Sequence, residues 1–187
     1  MASTPSKLVV IARYKEDIDW VEDLDVPVKV YNKGKLGKNR LKNVGLDPNT
    51  FMRHIYMNYN KLADYTFFLQ GDPSDHFTDC IDFVNDHTDQ EKAFLADQIV
   101  TDNRYGMPNN DYYLPMDVAW NLLFESKAPQ LYSFGPGCQF LASREMLRQR
   151  SRKFYKKCID ITLWNEKKSM GAFTLERLIP HILGDTQ

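Results

Sequence analysis

Gln70, Gly71, Asp72, Asp75 and His76 stand together in the stretch QGDPSDH. Hard divalent cations such as Mg²⁺ and Mn²⁺ take oxygen ligands, and they need only one or two protein carboxylates when a diphosphate supplies the rest. Asp72 and Asp75, with His76 beside them, therefore form a candidate site for such an ion, holding the diphosphate of a nucleotide-sugar. An ion there would act as a Lewis acid on charge developing at a departing group. The competing reading is a turn: Gly-Asp-Pro-Ser-Asp is good turn chemistry, with both aspartates capping backbone amides.

The element that must position these residues precedes them. Tyr65 to Leu69, YTFFL, has the length and composition of a buried strand. In open α/β sheets the crevice beyond the carboxyl ends of strands is where ligands bind. Lys7 to Ala12, KLVVIA, reads as a central strand buried on both faces, and Val26 to Tyr31, VPVKVY, as a second, with Pro27 pushing its beginning to the edge of the ladder. Between them Glu16 to Leu24 reads as a short helix with acidic residues in its first turn. Gly34 to Asn43 is a glycine- and lysine-rich loop. Asp47 and Pro48 read as N-cap and first position of a helix running to about Asn60, whose Phe51, Ile55 and Tyr59 cover the sheet. This alternation of strand and helix predicts an α/β fold with mainly parallel pairing.

Later signals are weaker. Phe77 to Val84 suggests a helical turn or two, Glu91 to Val100 a helix or irregular piece, and Thr101 to Leu114 a lid-like or packed surface loop. Pro115 to Phe124 reads as an amphipathic helix, and Ser133 to Ala142 as a glycine turn followed by a strand. A basic helix capped by Ser143 is expected to reach about Asp160. An apolar helix from Gly171 to Leu183 should be kinked or ended by Pro180.

Composition bounds these readings. The 187 residues are 43% hydrophobic and 26% charged, which fits one globular domain spanning 1–187. The net charge of −1 lacks the basic excess of a nucleic-acid-binding domain. Ten Tyr and eleven Phe suit stacking surfaces for rings or sugars, though an aromatic core is the commoner use. Cys80, Cys138 and Cys158 are odd in number and widely spaced, which points to a reducing compartment rather than a disulfide framework. No stretch approaches the ~20 apolar residues of a membrane span. A protein that is cytoplasmic or otherwise soluble in a reducing compartment is the expectation.

The pattern YTFFLQGDPSDH, with LKNVGLDPNTFMRHIYMNYNKLAD, ARYKEDIDWV and VKVYNKG before it, resembles a family of uncharacterised domains similar to GT-A glycosyltransferases. GCQFLASREMLRQRSRKFYKKCID and MGAFTLERLIPHIL are similar to the acceptor-side segments of GT-A enzymes. The likeness covers most of the chain, with Cys80 to Asp111 adding little. It implies one GT-A-like catalytic domain, with a nucleotide-binding half at about 7–76 and an acceptor-side half at about 110–187. It also implies a Mn²⁺ or Mg²⁺ cofactor, a nucleoside diphosphate sugar donor (UDP-sugar first) and a glycan or glycoprotein acceptor. Similar domains occur in large DNA viruses that glycosylate their own capsids, so a viral protein in a host cytoplasm fits. The usual Asp-x-Asp appears here as Gln70-Gly71-Asp72, with an amide in place of the first carboxylate.

Carried over by position, the resemblance puts Ala12, Arg13 and Tyr14 at the nucleobase and ribose, with Asn32 and Lys33 flanking the base. Asn43 and Gly45 lie near sugar or phosphate oxygens at a helix N-terminus. Gln70, Gly71 and Gln139 border the donor. Glu176 falls where an acidic residue approaches the reacting sugar, as a base for the acceptor hydroxyl or a partner of sugar hydroxyls. Asp72, Asp75 and His181 are the implied metal ligands, with Asp75 also counted as catalytic and Asp117 as an acceptor-side candidate. Each has a plainer alternative: Arg13 and Lys33 as solvated charges, Asn43 and Gly45 as turn formers, Arg177 as an ion-pair partner, His181 as a packed histidine. A non-catalytic nucleotide-sugar or carbohydrate-binding module with a degenerate metal motif is the alternative for the chain as a whole.

Overall fold

The computed structural model describes residues 5–34, 37–87, 90–103 and 113–184. Its centre is a five-stranded sheet of β1 (Lys7–Arg13), β2 (Val28–Asn32), β3 (Tyr65–Gln70), β4 (Lys92–Phe94) and β7 (Phe140–Ser143), in the order β2-β1-β3-β7-β4. A separate antiparallel pair joins β5 (Val100–Asn103) to β6 (Leu131–Phe134).

The sheet is mixed. β1 pairs parallel with β2 and β3, whereas β7 pairs antiparallel with both β3 and β4. The expectation of mainly parallel pairing thus holds for the first half of the chain only. β7 runs the other way because the turn before it already lies at the carboxyl end of β3: Gln139 Oε1 accepts the Gln70 amide at 3.0 Å, and Phe140 opposes Phe68. A chain entering the sheet from that end must run backwards.

Continuous apolar runs give two buried faces. Val10, Ala12, Phe68, Phe140 and Ala142 pack beneath three helices, α1 (Leu46–Asn58), α5 (Arg152–Thr162) and α6 (Met170–Ile182). Phe68 and Phe140 stack at 4.5 Å between centroids. Val9, Ile11, Phe67, Leu69 and Leu141 face the other way, toward Cys80 and Val84 of α2 (Cys80–Asp86) and the side chains of Trp20 and Val21. Two further helices, α3 (Met116–Leu123) and α4 (Arg144–Arg148), complete the chain.

Several local expectations change. Glu16 to Leu24 forms only a 3₁₀ turn at Asp19–Asp23. Glu91 to Val100 is not a helix: it holds the short strand β4 and then runs irregularly to Ile99, and the loop expected over Thr101 to Leu114, lid-like or packed, falls mostly on residues outside the described ones. Ser143 does cap a helix, accepting the Met146 amide at 3.1 Å, but that helix stops at Arg148 and Ser151 caps a second one through Phe154 at 3.2 Å. Pro180 does not end α6, which continues to Ile182. Asp47 is not an N-cap: Gly45 holds that position at φ +61°, and Leu46 at φ +46° continues the left-handed turn. A Cβ on Gly45 would stand 2.8 Å from Asn49 Cβ and 2.9 Å from Thr162 Oγ1, so this turn needs glycine for space as well as for φ.

Candidate functional site

β1, β2 and β3 end side by side: Arg13 is in register with Asn32, and Ala12 with Gln70. The loops after them open from one edge of the sheet, which is where parallel strands leave backbone groups and side chains free for a ligand. Ala12 is buried within the ladder. Arg13 is fixed by two bonds, Nη1 to Asn32 Oδ1 at 3.1 Å and Nε to the Glu16 carbonyl at 2.8 Å.

Beyond these ends lies a cavity of about 850 Å³ with five cations in its wall, Arg13, Lys15, Lys33, Arg40 and Lys42. Tyr14 and Asn43 also line it, and no carboxylate does so among the described residues. Four positions singled out for a nucleotide, Arg13, Tyr14, Lys33 and Asn43, are therefore brought together. Lys33 is not a solvated charge. It is 6% exposed, and its ammonium donates to the carbonyls of Leu46 and, at 2.8 Å, Val44. Burial lowers its pKa to about 8, against the opposing pull of Asp47. The left-handed turn at Gly45 and Leu46 is what presents those two carbonyls.

Near the same strand ends stand two partly buried carboxyls, neither of which lines the cavity. Asp47 Oδ2 accepts the side-chain amide of Gln70 at 3.0 Å, and burial raises its pKa although Gln70 and Lys33 pull it down. Glu176 Oε1 accepts the backbone amide of Gly137 at 2.8 Å. Desolvation pushes its pKa up to about 7, with Arg177 and the Gly137 amide opposing and the charge of Asp47 adding to the rise. Gly137 has φ +84°, and a Cβ there would collide with the His76 ring and come 3.1 Å from Gln70 Oε1. Glycine thus lets the turn carrying the Glu176 bond lie directly on the Gln70–His76 loop.

The Glu176 side chain is held from below. Arg177 Nη1 donates to Glu176 Oε2 at 3.1 Å while Arg177 Nε donates to Asp102 Oδ2 at 2.7 Å, and the guanidinium lies 4.4 Å from the Phe134 ring centre. Arg177 is an ion-pair partner, as expected, but one that ties α6 to β5 as well. Gln139, 1% exposed, clamps the other side, accepting from Gln70 N and donating to the Pro73 carbonyl at 3.0 Å. Gly71 lies against Glu16, whose Oε2 accepts the Tyr14 amide at 2.6 Å, and its carbonyl accepts Trp20 Nε1 at 2.9 Å.

The predicted metal ligands are placed differently. Asp72 and Asp75 are exposed on the turn after β3, and Ser74 Oγ donates to Asp72 Oδ1 at 2.7 Å. Asp75 and His76 line a smaller hollow of about 250 Å³ with Asp97. His181 does not join them. It packs edge-on against Trp120 at 4.8 Å and Tyr132 at 5.8 Å, inside the helical layer. Among the described residues no three His, Cys, Asp or Glu side chains are arranged to hold a metal. Asp117 lies in the first turn of α3. The three cysteines are free and buried, and among the described residues no helix is long and apolar enough to cross a membrane.

Asp47 and Glu16 are the site residues that sequence reasoning missed, since both read as residues favoured at a helix start. A signal was present for Asp47: it follows Asn43 and Gly45, in the loop already read as facing a ligand. No protein-family model matches the chain, and no curated protein matches it.

Proposed function

We propose that the chain is a GT-A-type glycosyltransferase that moves a sugar from a nucleoside diphosphate donor, UDP-sugar first, to a glycan or glycoprotein hydroxyl. The observation that supports this reading is the pairing of a five-cation cavity with two partly buried carboxyls, both held above the usual carboxylate range, near the carboxyl ends of β1, β2 and β3. The cations offset the charge of a diphosphate, and Tyr14 offers a ring to the base. Glu176 then takes the proton of the acceptor hydroxyl as its oxygen bonds to the sugar carbon and the bond to the diphosphate breaks. A base of pKa near 7 is matched to that task at neutral pH.

Asp72 and Asp75 suit a Mn²⁺ or Mg²⁺ ion of the kind carried mostly by substrate phosphates and water, because two exposed carboxylates at a strand end are as many protein ligands as such an ion needs. When bound, the ion supplies charge neutralisation at the leaving diphosphate. His181 is left out of that set by its packing against Trp120.

Thermal-shift titration with UDP, GDP and their sugars, with and without Mn²⁺, tests the proposal, followed by assay of nucleoside diphosphate release. A ligand at a hundred times its Kd should stabilise the fold by about 2.7 kcal/mol, or roughly 5–10 °C in Tm. Absence of any nucleotide stabilisation sinks the reading. Binding without release of nucleotide favours the non-catalytic module, the alternative motivated by Gln70, whose amide is spent on Asp47.

A further inference from the structure

A second cavity, of about 770 Å³, opens at the C-terminal end of α6 and shares no lining residue with the basic cavity. Its size is that of a small-molecule site, and such sites combine apolar walls with a few placed polar groups. Trp120 and Phe124 form the apolar wall, with ring centres 4.4 Å apart. That wall is rigid: the Trp120 indole N–H donates to the Ser126 carbonyl at 2.7 Å, and His181 buttresses the ring from the side.

Arg150 supplies the polar group. Its guanidinium sits 5.3 Å from the ring centres of both Phe124 and Phe154. Nε donates to the Ile182 carbonyl and Nη2 to the His181 carbonyl, at 3.3 and 2.8 Å. Two of its five N–H groups are thus engaged, and among the described residues Nη1 carries no hydrogen bond. The other charged residues in the wall are Lys127 and Glu125, both exposed, so the cavity carries one net positive charge from Arg150, Lys127 and Glu125 together.

We infer that this cavity is a second ligand site, built for a small planar monoanion: a flat apolar ring seated beside Leu123, Phe124 and Pro129, next to the buried Trp120, with its carboxylate turned to Arg150. The inference is independent of the proposed glycosyl transfer, because it uses neither the strand-end loops nor Glu176. One net cation selects a monoanion over a phosphate ester, and Arg150 Nη1, which carries no hydrogen bond among the described residues, is the group left for its carboxylate.

The test follows the indole N–H signals of the full-length protein by NMR while 2-naphthoate, 2-naphthyl phosphate or the neutral 2-naphthalenemethanol is added. Three tryptophans give three reporters. The expected result is a saturable shift of Trp120 with Trp20 and Trp164 unmoved, and binding of naphthoate about tenfold tighter than of the alcohol. Arg150→Met should remove that difference while leaving the alcohol's affinity alone. Because Arg150 also caps carbonyls of α6, Lys127→Glu serves as a second variant: it reverses the net charge outside the cap and should weaken naphthoate several-fold without moving Trp120 in the free protein. Equal affinity for acid and alcohol, tighter binding of the phosphate ester, shifts at all three indoles, or no saturable shift at Trp120 would each overturn the inference.

Discussion

Two pairs of carboxyl groups stand at the same edge of the sheet in different media. Asp72 and Asp75 project into solvent from the turn after β3, whereas Asp47 and Glu176 lie behind them, desolvated and hydrogen-bonded. An exposed carboxylate keeps its charge cheaply and is free to meet a cation, while a buried one holds a proton toward neutrality. Under the proposed glycosyl transfer the contrast becomes a division of labour: the outer pair meets charge and the inner pair moves protons. Perturbed titration within a cleft is a marker of functional sites, and Lys33, a wall residue of the basic cavity, is such a case, with the shifted Asp47 in electrostatic contact with it.

The largest effect should come from the inner pair. Under the proposed glycosyl transfer, Glu176→Gln removes the base and should slow turnover by roughly 10²–10⁴-fold while nucleotide binding persists. The parent's rate should climb as pH rises through about 7, where Glu176 loses its proton, and the variant's should not. A companion signature lies in stability. Because folding raises the Glu176 pKa from 4.5 to about 7, its contribution is fully present below about 4.5 and is lost as pH rises through about 7. Thermal melts from pH 4 to 8 should therefore decline less steeply for Glu176→Gln than for the parent. Parental turnover in the variant would remove the inner pair from the chemistry.

A somewhat smaller effect tests what holds the inner pair still. Asp102 and Arg177 form a 2.7 Å ion pair with both side chains 7% exposed. Breaking one side of such a pair costs about 3–5 kcal/mol, because the remaining charge is left buried. Asp102→Asn should lower Tm by about 10 °C, and Asp102→Asn with Arg177→Met should recover part of that loss. Unfolding of the single variant at the parental temperature would show that β5 does not anchor α6.

How much of this was legible depended on whether the signal was local. The runs VVIA and TFFL announced buried strands, because a residue hidden on both faces must be apolar at every position. Pro27 put the start of β2 at the edge of the ladder for an equally local reason, its missing N–H: its carbonyl still accepts the Val9 amide at 2.9 Å, and the strand begins at Val28. The antiparallel return of β7 was hidden, since four residues of an apolar strand look alike in either direction. Asp47 misled because Asp-Pro is a common helix opening, and only the left-handed Gly45–Leu46 turn, formed against Thr162 far along the chain, moves the cap back to Gly45. Arg13, Tyr14 and Lys33 share one cavity wall because they sit at or just past the ends of β1 and β2, which the topology makes neighbours, and Asn43 joins them where the following loop returns. Of the two readings of His181, metal ligand or packed residue, the structure shows the packing, and the aromatic side chains of α3 and β6 that enclose it are not visible from its own helix.

The smallest structural effect belongs to the outer pair, and that is what makes it a sharp test. Asp72→Ala and Asp75→Ala change exposed side chains, so each should move stability in the absence of ligand by no more than about 0.5 kcal/mol. Nucleotide binding without metal, which the proposed reading assigns to the cations of the 850 Å³ cavity, should also persist. What each variant should lose is the extra stabilisation that Mn²⁺ adds to the nucleotide complex. Lys33→Met supplies the opposite pattern, weakening the complex with and without metal, because it removes a cation from the cavity wall. If Asp72→Ala and Asp75→Ala keep the whole Mn²⁺ increment, the ion is held by other groups, and the inner carboxyl Asp47, joined to the β3 terminus through Gln70, becomes the first one to test.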